Sequence, residues 1–546
     1  MPESFEIAGK IIDVVSRRIF RGIVMVSKGR IAEIREDDNV PDRYILPGLI
    51  DAHIHIESSM LIPSEFARIA VTHGTVATVS DPHEIGNVLG IEGVRFMIEN
   101  GKKVPFKFYF GAPACVPATT FETSGSAIGV KEVEELLMSK DIYGLCEMMN
   151  VPGVLFSDPV VMQKLALARK YKKPVDGHAP GLMGKEASDY IAAGITSDHE
   201  CFTIEEAVGK IQHGMKILIR EGSAAKNFDV LLPLIKEYPD MIMFCSDDKH
   251  PNDLVKGHIN DLVKRALVKG FDPVTVIRCC TYNPSKHYHL NTGLLQIGDP
   301  ADMIVVNNLN EFNVEETYID GILVSQNGKT LINSFHEAAL NYFNASFVRS
   351  EDIRIIPERG MIRVIQIIEG QLVTEELLVE GKVENNNIIS NISEDILKIV
   401  VKNRYSDASP AIGFVKGFGL EQGAIGSSIA HDSHNIIAVG ADDLSIAEAI
   451  NMIITTKGGI SCVNKDDRRI LPLPFGGIMT GDNGFIVSSL YEQFDRMTKS
   501  MGCDLSSPYM TLSFMALLVI PSLKLSDKGL FDGINFRLTG LFRNES

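Results

Sequence analysis

The chain has 546 residues, more than one hydrophobic core usually supports, so two or three domains are expected. Its net charge is −17 and no basic cluster occurs, which argues against nucleic acid or an acidic membrane as partner, since phosphate binding relies on concentrated Lys and Arg. Eight cysteines without regular spacing indicate reduced thiols, and the start Met1-Pro2-Glu3-Ser4-Phe5-Glu6 has neither the basic residues nor the apolar stretch of a signal peptide, so the expected compartment is the cytoplasm.

Residues before Leu46 read as short strands with turns at Lys28-Gly29 and Glu36-Asp37-Asp38, too little to bury a core alone. The next run, Leu46 to His55, is apolar and β-prone and ends in His53 and His55. Residues two apart on a strand point to the same side, so both imidazoles can reach one metal ion. A pair of histidines at a strand edge is the alternative, and the spacing alone does not decide between them. Further strands are expected to end near Ser80, Phe110, Glu147, His178, His199, Arg220 and Ser246. Helix-like periodicity fills Asp158 to Tyr171, Lys185 to Ala193, Thr203 to His213 and Asn252 to Lys269. Alternation of strand and helix implies a parallel sheet, and about eight such units imply a (β/α)₈ barrel with its chemistry at the carboxyl ends of the strands.

Potential ligands keep appearing at those ends: Glu147, His178, His199 and Asp247. Asp247 and Asp248 are adjacent, so only one is expected to face a metal. Asp247 is favoured, and Asp248 is free to cap the helix that starts near Pro251. His83 and Glu84 lie just beyond the second strand, as site residues or as loop residues with local hydrogen bonds. His250, His258, His287 and His289 fall on helical stretches and read as structural or solvated. His431 and His434, three apart, belong either to C-terminal structure or to the mouth of an active site. The most apolar run, Leu512 to Ile520, stops at Pro521, too short to cross a bilayer about 30 Å thick.

Two histidines on the first strand, a carboxylate on the fourth, histidines on the fifth and sixth and an aspartate on the eighth resemble the metal-dependent amidohydrolase superfamily. Within it, four longer motifs are similar to those of the bacterial adenine deaminase family. They are Pro47 to Met60 (PGLIDAHIHIESSM), Asp81-Pro82-His83-Glu84-Ile85-Gly86-Asn87, Ser246-Asp247-Asp248 and Ala430-His431-Asp432-Ser433-His434-Asn435. The resemblance covers nearly the whole chain. It implies two divalent ions, Mn²⁺ first with Fe²⁺ or Zn²⁺ as alternatives. His53 and His55 would hold one, His178 and His199 the second, Glu147 would bridge them, and Asp247 would bind the first together with a metal-activated hydroxide. Many relatives carry a carbamylated lysine where Glu147 stands, and Gly144–Met149 contains none. The implied reaction is hydrolysis of adenine to hypoxanthine and ammonia, with Asp247 moving the proton and Glu84 or His83 serving ring nitrogen N1. No Cys-x-x-Cys of the cytidine deaminase type is present.

Gly293 to Val306 resembles the superfamily's return into a small β domain. The expected division is 1–46 plus 290–346 as a β-sandwich formed by both flanks, 47–289 as the (β/α)₈ TIM-like barrel, and 347–546 as an additional C-terminal α+β domain. Adenine is the expected partner, with a homo-oligomer and neither nucleic acid nor membrane. The runner-up is another binuclear amidohydrolase such as N-acetylglucosamine-6-phosphate deacetylase, which would need a basic phosphate pocket. A catalytically dead scaffold is a third reading, which loss of ligands would mark.

Overall fold

The computed structural model describes residues 4–543 apart from residue 466. Residues 1–3, part of the signal-peptide reading, and 544–546, the end of the expected C-terminal domain, lie outside the described residues.

Eight parallel strands carry the centre of the chain: β1 (Leu49–His55), β2 (Thr75–Ser80), β3 (Lys107–Ala112), β4 (Ile142–Met148), β5 (Val175–Gly177), β6 (Ser197–Asp198), β7 (Lys216–Arg220) and β8 (Ile242–Cys245). β1 to β5 form one hydrogen-bonded sheet in chain order and β6 to β8 a second. The sheets meet at two seams. At one, the Thr196 amide donates to the Val175 carbonyl at 2.9 Å and the Thr196 hydroxyl to the same carbonyl at 3.0 Å. At the other, Asp51 on β1 accepts from the Ser246 amide (3.0 Å) and hydroxyl (2.5 Å), and Nε2 of His258 lies 2.8 Å from it. Asp247–Asp248 then pairs with Ile54 and His55, extending β1's neighbourhood past the end of β8. Every residue of β1 is buried, its apolar Leu49, Ile50, Ala52 and Ile54 together with its polar Asp51, His53 and His55.

His258 explains why the expected helix Asn252–Lys269 is broken into Pro251–Lys256 and Ile259–Val268. Gly257 is extended, and this turns the His258 ring inward to a fully buried position against Asp51 and Thr75. The ring's two polar contacts outweigh the continuity of one helix.

Both flanks of the barrel segment join one eight-stranded sheet, in place of the two facing sheets of a sandwich. Tyr44–Pro47 stitches it together, pairing parallel with Ser4–Asp13 and antiparallel with Met303–Val306. Toward the C-terminus a mixed sheet built around Ile396–Lys402, Ala411–Lys416 and Ile436–Gly440 carries the helix Asp443–Thr456. A second helix, Gly484–Ser500, packs against Pro251–Lys256 and Pro63–Ala70, seating this region on the barrel segment. Among the described residues no helix is long and apolar enough to cross a membrane.

Candidate metal centre

The strand ends bring six side chains together, each at most 8% exposed: His53, His55, Glu147, His178, His199 and Asp247. Alternation along β1 aims both of its histidines at one point, with their Nε2 atoms 3.2 Å apart. Glu147, near the end of β4, lies between two groups. Its Oε1 is 3.3 Å from His55 Nε2, and its Oε2 is 3.0 Å from His178 Nδ1 and 3.3 Å from His199 Nε2. Oδ1 of Asp247 stands 3.4 Å from His53 Nε2 and 3.2 Å from His55 Nε2. His53 and His199 stack with ring centroids 4.2 Å apart.

These groups fit divalent cations. His53, His199 and Asp247 form one set with ligand atoms within 4.8 Å of one another, and Glu147, His178 and His199 form another. His178 Nε2 is buried with no hydrogen-bond partner, a state that costs about 1–3 kcal/mol unless something else fills the valence. Nitrogen and oxygen donors without thiolate suit manganese, iron or zinc.

Asp248 departs from its expected role. Asp247 has φ of 55°, a left-handed conformation that interrupts strand alternation, and both aspartates line the same cleft. Asp248 accepts from the Ser58 hydroxyl at 2.5 Å, and the helix beginning at Pro251 has no side-chain cap. The expectation that only one of the pair faces the cluster therefore fails.

Arg220, at the end of β7, is fully buried and pairs with Glu200 and with Oδ2 of Asp247 at 2.8 Å. Burial opposes ionisation of Asp247, but Arg220 and hydrogen bonds with His53 and His55 hold its carboxyl well below the usual range. Burial likewise opposes ionisation of Glu147, and contacts with His178, His199 and His55 prevail.

His83, Glu84, His431 and His434, read separately in the sequence, are neighbours. His83 Nδ1 is 3.1 Å from Asp81 and 3.5 Å from Glu147, while its Nε2 is 3.5 Å from Glu84. Glu84 Oε1 lies 2.6 Å from His431 Nδ1, and Glu84 also contacts His434. The cleft's outer wall is Leu372, His431, Asp432, Phe514 and Leu517, with His431 stacked on Phe514 at 5.1 Å. A buried Lys524 ammonium donates to the carbonyls of Leu372 (2.7 Å) and Phe514 (3.1 Å), tying two parts of that wall together. His250 instead faces the Tyr491 hydroxyl at 2.6 Å, and His289 is exposed in a turn.

Sequence reasoning missed Asp81, Glu200 and the apolar wall, gave Asp248 to a helix cap, and read Arg220 only as a strand end. An arginine closing the apolar run Ile217-Leu218-Ile219 is a signal of a buried counter-ion, and Glu200 directly follows a candidate ligand. Leu372, Phe514 and Leu517 carry no local signal.

Beside this wall, burial and then the neighbouring Asp432 push the Glu122 carboxyl up to about 8. The unfolded chain ionises this group near its ordinary value of 4.5, so between there and pH 8 the native state binds the extra proton and its stability falls as pH rises. Glu122→Gln is expected to remove that decline, a slope of at most about 1.4 kcal/mol per pH unit, leaving stability at pH 5 nearly unchanged and raising it at pH 8. Urea titrations of both proteins at the two pH values test this.

Residues 44–324 match the profile of the amidohydrolase family, and residues 371–537 that of the adenine deaminase C-terminal domain. The chain is similar to the adenine deaminase of Methanosarcina mazei, 51% identical over 98% of this chain and 99% of the relative. It is 53% identical to that of Sulfurovum sp., over 97% of this chain and 98% of the relative. It is 50% identical to that of Salinibacter ruber, over 99% of this chain and 100% of the relative.

Proposed function

The chain belongs to the adenine deaminase family of amidohydrolases, and from that premise we propose that it hydrolyses adenine to hypoxanthine and ammonia at the strand-end cluster. The observation that carries the reading is the convergence of four histidines and two carboxylates beneath a wall supplied by the region matching the adenine deaminase C-terminal domain. The eight parallel strands would close as one barrel, with both seams held as described.

In this reading His53, His55 and Asp247 would hold one divalent ion and His178 and His199 the other, with Glu147 shared between the two groups. Bound there, such ions supply the Lewis acidity that makes water acidic near neutral pH. Manganese is the favoured metal, with iron or zinc as alternatives. Water adds to C6 of the purine, and Asp247 takes up the proton that water loses. One of its oxygens faces His53 and His55 while Arg220 holds the other, which fixes the orientation of the carboxylate. The tetrahedral carbon must then release ammonia, a poor leaving group unless protonated, and the same carboxylate returns its proton to the exocyclic nitrogen. His83 stands between the cluster and the wall, within reach of a ring nitrogen, with Glu84 behind it. Leu372, Phe514 and Leu517 would cover the apolar faces of the purine and exclude water.

The cleft's lining includes, among the described residues, no lysine or arginine that could pair with a phosphate ester, which favours adenine over N-acetylglucosamine 6-phosphate. A cytoplasmic homo-oligomer acting on adenine completes the proposal.

The test is incubation of manganese-loaded protein with adenine, adenosine and N-acetylglucosamine 6-phosphate, following ammonia, acetate and the purine ultraviolet spectrum. Hypoxanthine and ammonia from adenine alone are expected. Acetate release, or no reaction by protein with confirmed metal, would overturn the substrate.

A further inference from the structure

A second cavity, of about 600 Å³, opens at the amino ends of β7 and β8, the opposite end of the strands from the histidine cluster. Lys216 is the first residue of β7, and Asp240 lies two residues before β8. Arg278 and Lys286 come from the helices Pro273–Cys279 and Tyr282–His287. Arg17 reaches in from the turn between the flanking strands Ser4–Asp13 and Arg18–Ser27, so the cavity lies where the N-terminal flank meets the barrel segment.

Four cationic side chains line this cavity against a single carboxylate, Asp240, among the described residues. That carboxylate is already shared, since its Oδ1 accepts from Arg17 at 2.9 Å and from Arg278 at 2.7 Å. Lys216 donates to the backbone carbonyl of Asp240 at 2.7 Å, and Lys286 stands 5.5 Å from the centre of the Tyr282 ring with no carboxylate partner among the described residues. The lining His287 adds no charge, because burial and then Lys216 and His289 push it down to about 3. The result is an excess of three positive charges in one cavity of a chain whose net charge is −17. The four residues are scattered between positions 17 and 286, which is why no basic run marks them in the sequence. Like charges gathered in a cleft repel one another and draw in an anion. Arg278, 4% exposed, is held by the Val14 carbonyl and Asp240 and lies 3.9 Å over the Tyr282 ring, so it is a fixed part of the floor. Arg17 and Lys286 are exposed at the rim, free to turn toward a ligand.

We propose that this cavity binds the phosphate chain of a small molecule, a diphosphate group that is either free or carried by a nucleotide. A phosphate group carries about −1.5 to −2 near neutral pH, so two linked phosphates match the excess charge where one would leave a positive remainder. Guanidinium groups offer phosphate a planar fork of donors and lysines add point charges, and both kinds are present. The volume lies within the range of small-molecule pockets, about 300–1,000 Å³. A ligand here would bridge the N-terminal flank and the barrel segment at a distance from the metal centre. The inference does not depend on the reaction at the other end of the strands.

The test is calorimetric titration of the manganese-loaded, full-length protein with inorganic diphosphate and, separately, with ATP, repeated on Lys286→Gln and Arg17→Gln. Both substitutions fall on exposed side chains outside the metal centre, so adenine turnover without added ligand is expected to stay unchanged. Saturable binding of diphosphate, weakened about tenfold or more in each variant, is the expected result. Chelation of manganese by the ligand contributes equally to all three proteins, so the difference between them reports the cavity. Equal affinity for ATP and diphosphate would assign the phosphate chain alone, and tighter binding of ATP would assign a nucleotide, provided that the variants weaken both. No saturable binding of either ligand at millimolar concentration, or binding that neither substitution changes, would overturn the proposal.

Discussion

Asp247→Asn is expected to lower kcat for adenine by about 10²–10⁴-fold, the range for loss of a general acid–base, while the protein remains folded. The substitution is chosen because it changes little else. Asn has nearly the same volume and, like Asp, tolerates the left-handed conformation at this position, where φ is 55°. Glu200 still pairs with Arg220 in the variant. What disappears is the carboxylate to which the proposed mechanism gives the proton transfer from water to the leaving nitrogen. Glu147→Gln should be as severe for a different reason, since it weakens the group lying between the two ion sites, and its metal content should fall with its activity. Ammonia release, circular dichroism and metal analysis on the two variants separate these causes. Full activity in either would refute the assignment.

Arg220→Met should destabilise the protein by about 3–5 kcal/mol, the cost of removing one partner from a buried ion pair. Glu200 and Asp247 each lose a guanidinium contact, and both are buried among histidines and other carboxylates where water cannot replace it. A lowered urea midpoint without a change in slope is the expected signature. An unchanged midpoint would mean that the pair is satisfied in some other way. Loss of Arg220 should also slow turnover, because Asp247 would be free to rotate away from its position beside His53 and His55.

Much of this arrangement was legible in the chain itself. A strand alternates its side chains, so His-x-His at the end of an apolar run aims two imidazoles one way, and His53 and His55 do meet at their Nε2 atoms. Alternation of apolar strands with amphipathic helices likewise exposed the parallel strand order and the ends on which ligands would gather. The same rule misled at Asp247 and Asp248, because it holds only while the backbone stays extended, and a left-handed residue puts neighbours on one side. The break in Asn252–Lys269 was hidden because its cause, Asp51, is 207 residues from His258. Helical periodicity reports local preference and not such a tertiary contact. Leu372, Phe514 and Leu517 were illegible for a related reason: a leucine facing a cleft looks like a leucine in a core until the distant element opposite is known.

The division of labour in the cleft bears on how such enzymes diverge. The groups suited to the ions stand on β1 and β4, just after β5 and β6 and in the residue pair after β8, whereas the wall of the cleft comes from residues 372, 431, 432, 514 and 517. Changes in what the pocket accepts can therefore accumulate in one part of the gene while the ion-binding part is held fixed by selection. Lys524, whose single amine grips the Leu372 and Phe514 backbones together, limits how freely that can happen. A remodelled wall would have to keep both carbonyls within that lysine's reach, so new specificities should arise by exchanging side chains on an unchanged backbone more readily than by inserting or deleting residues.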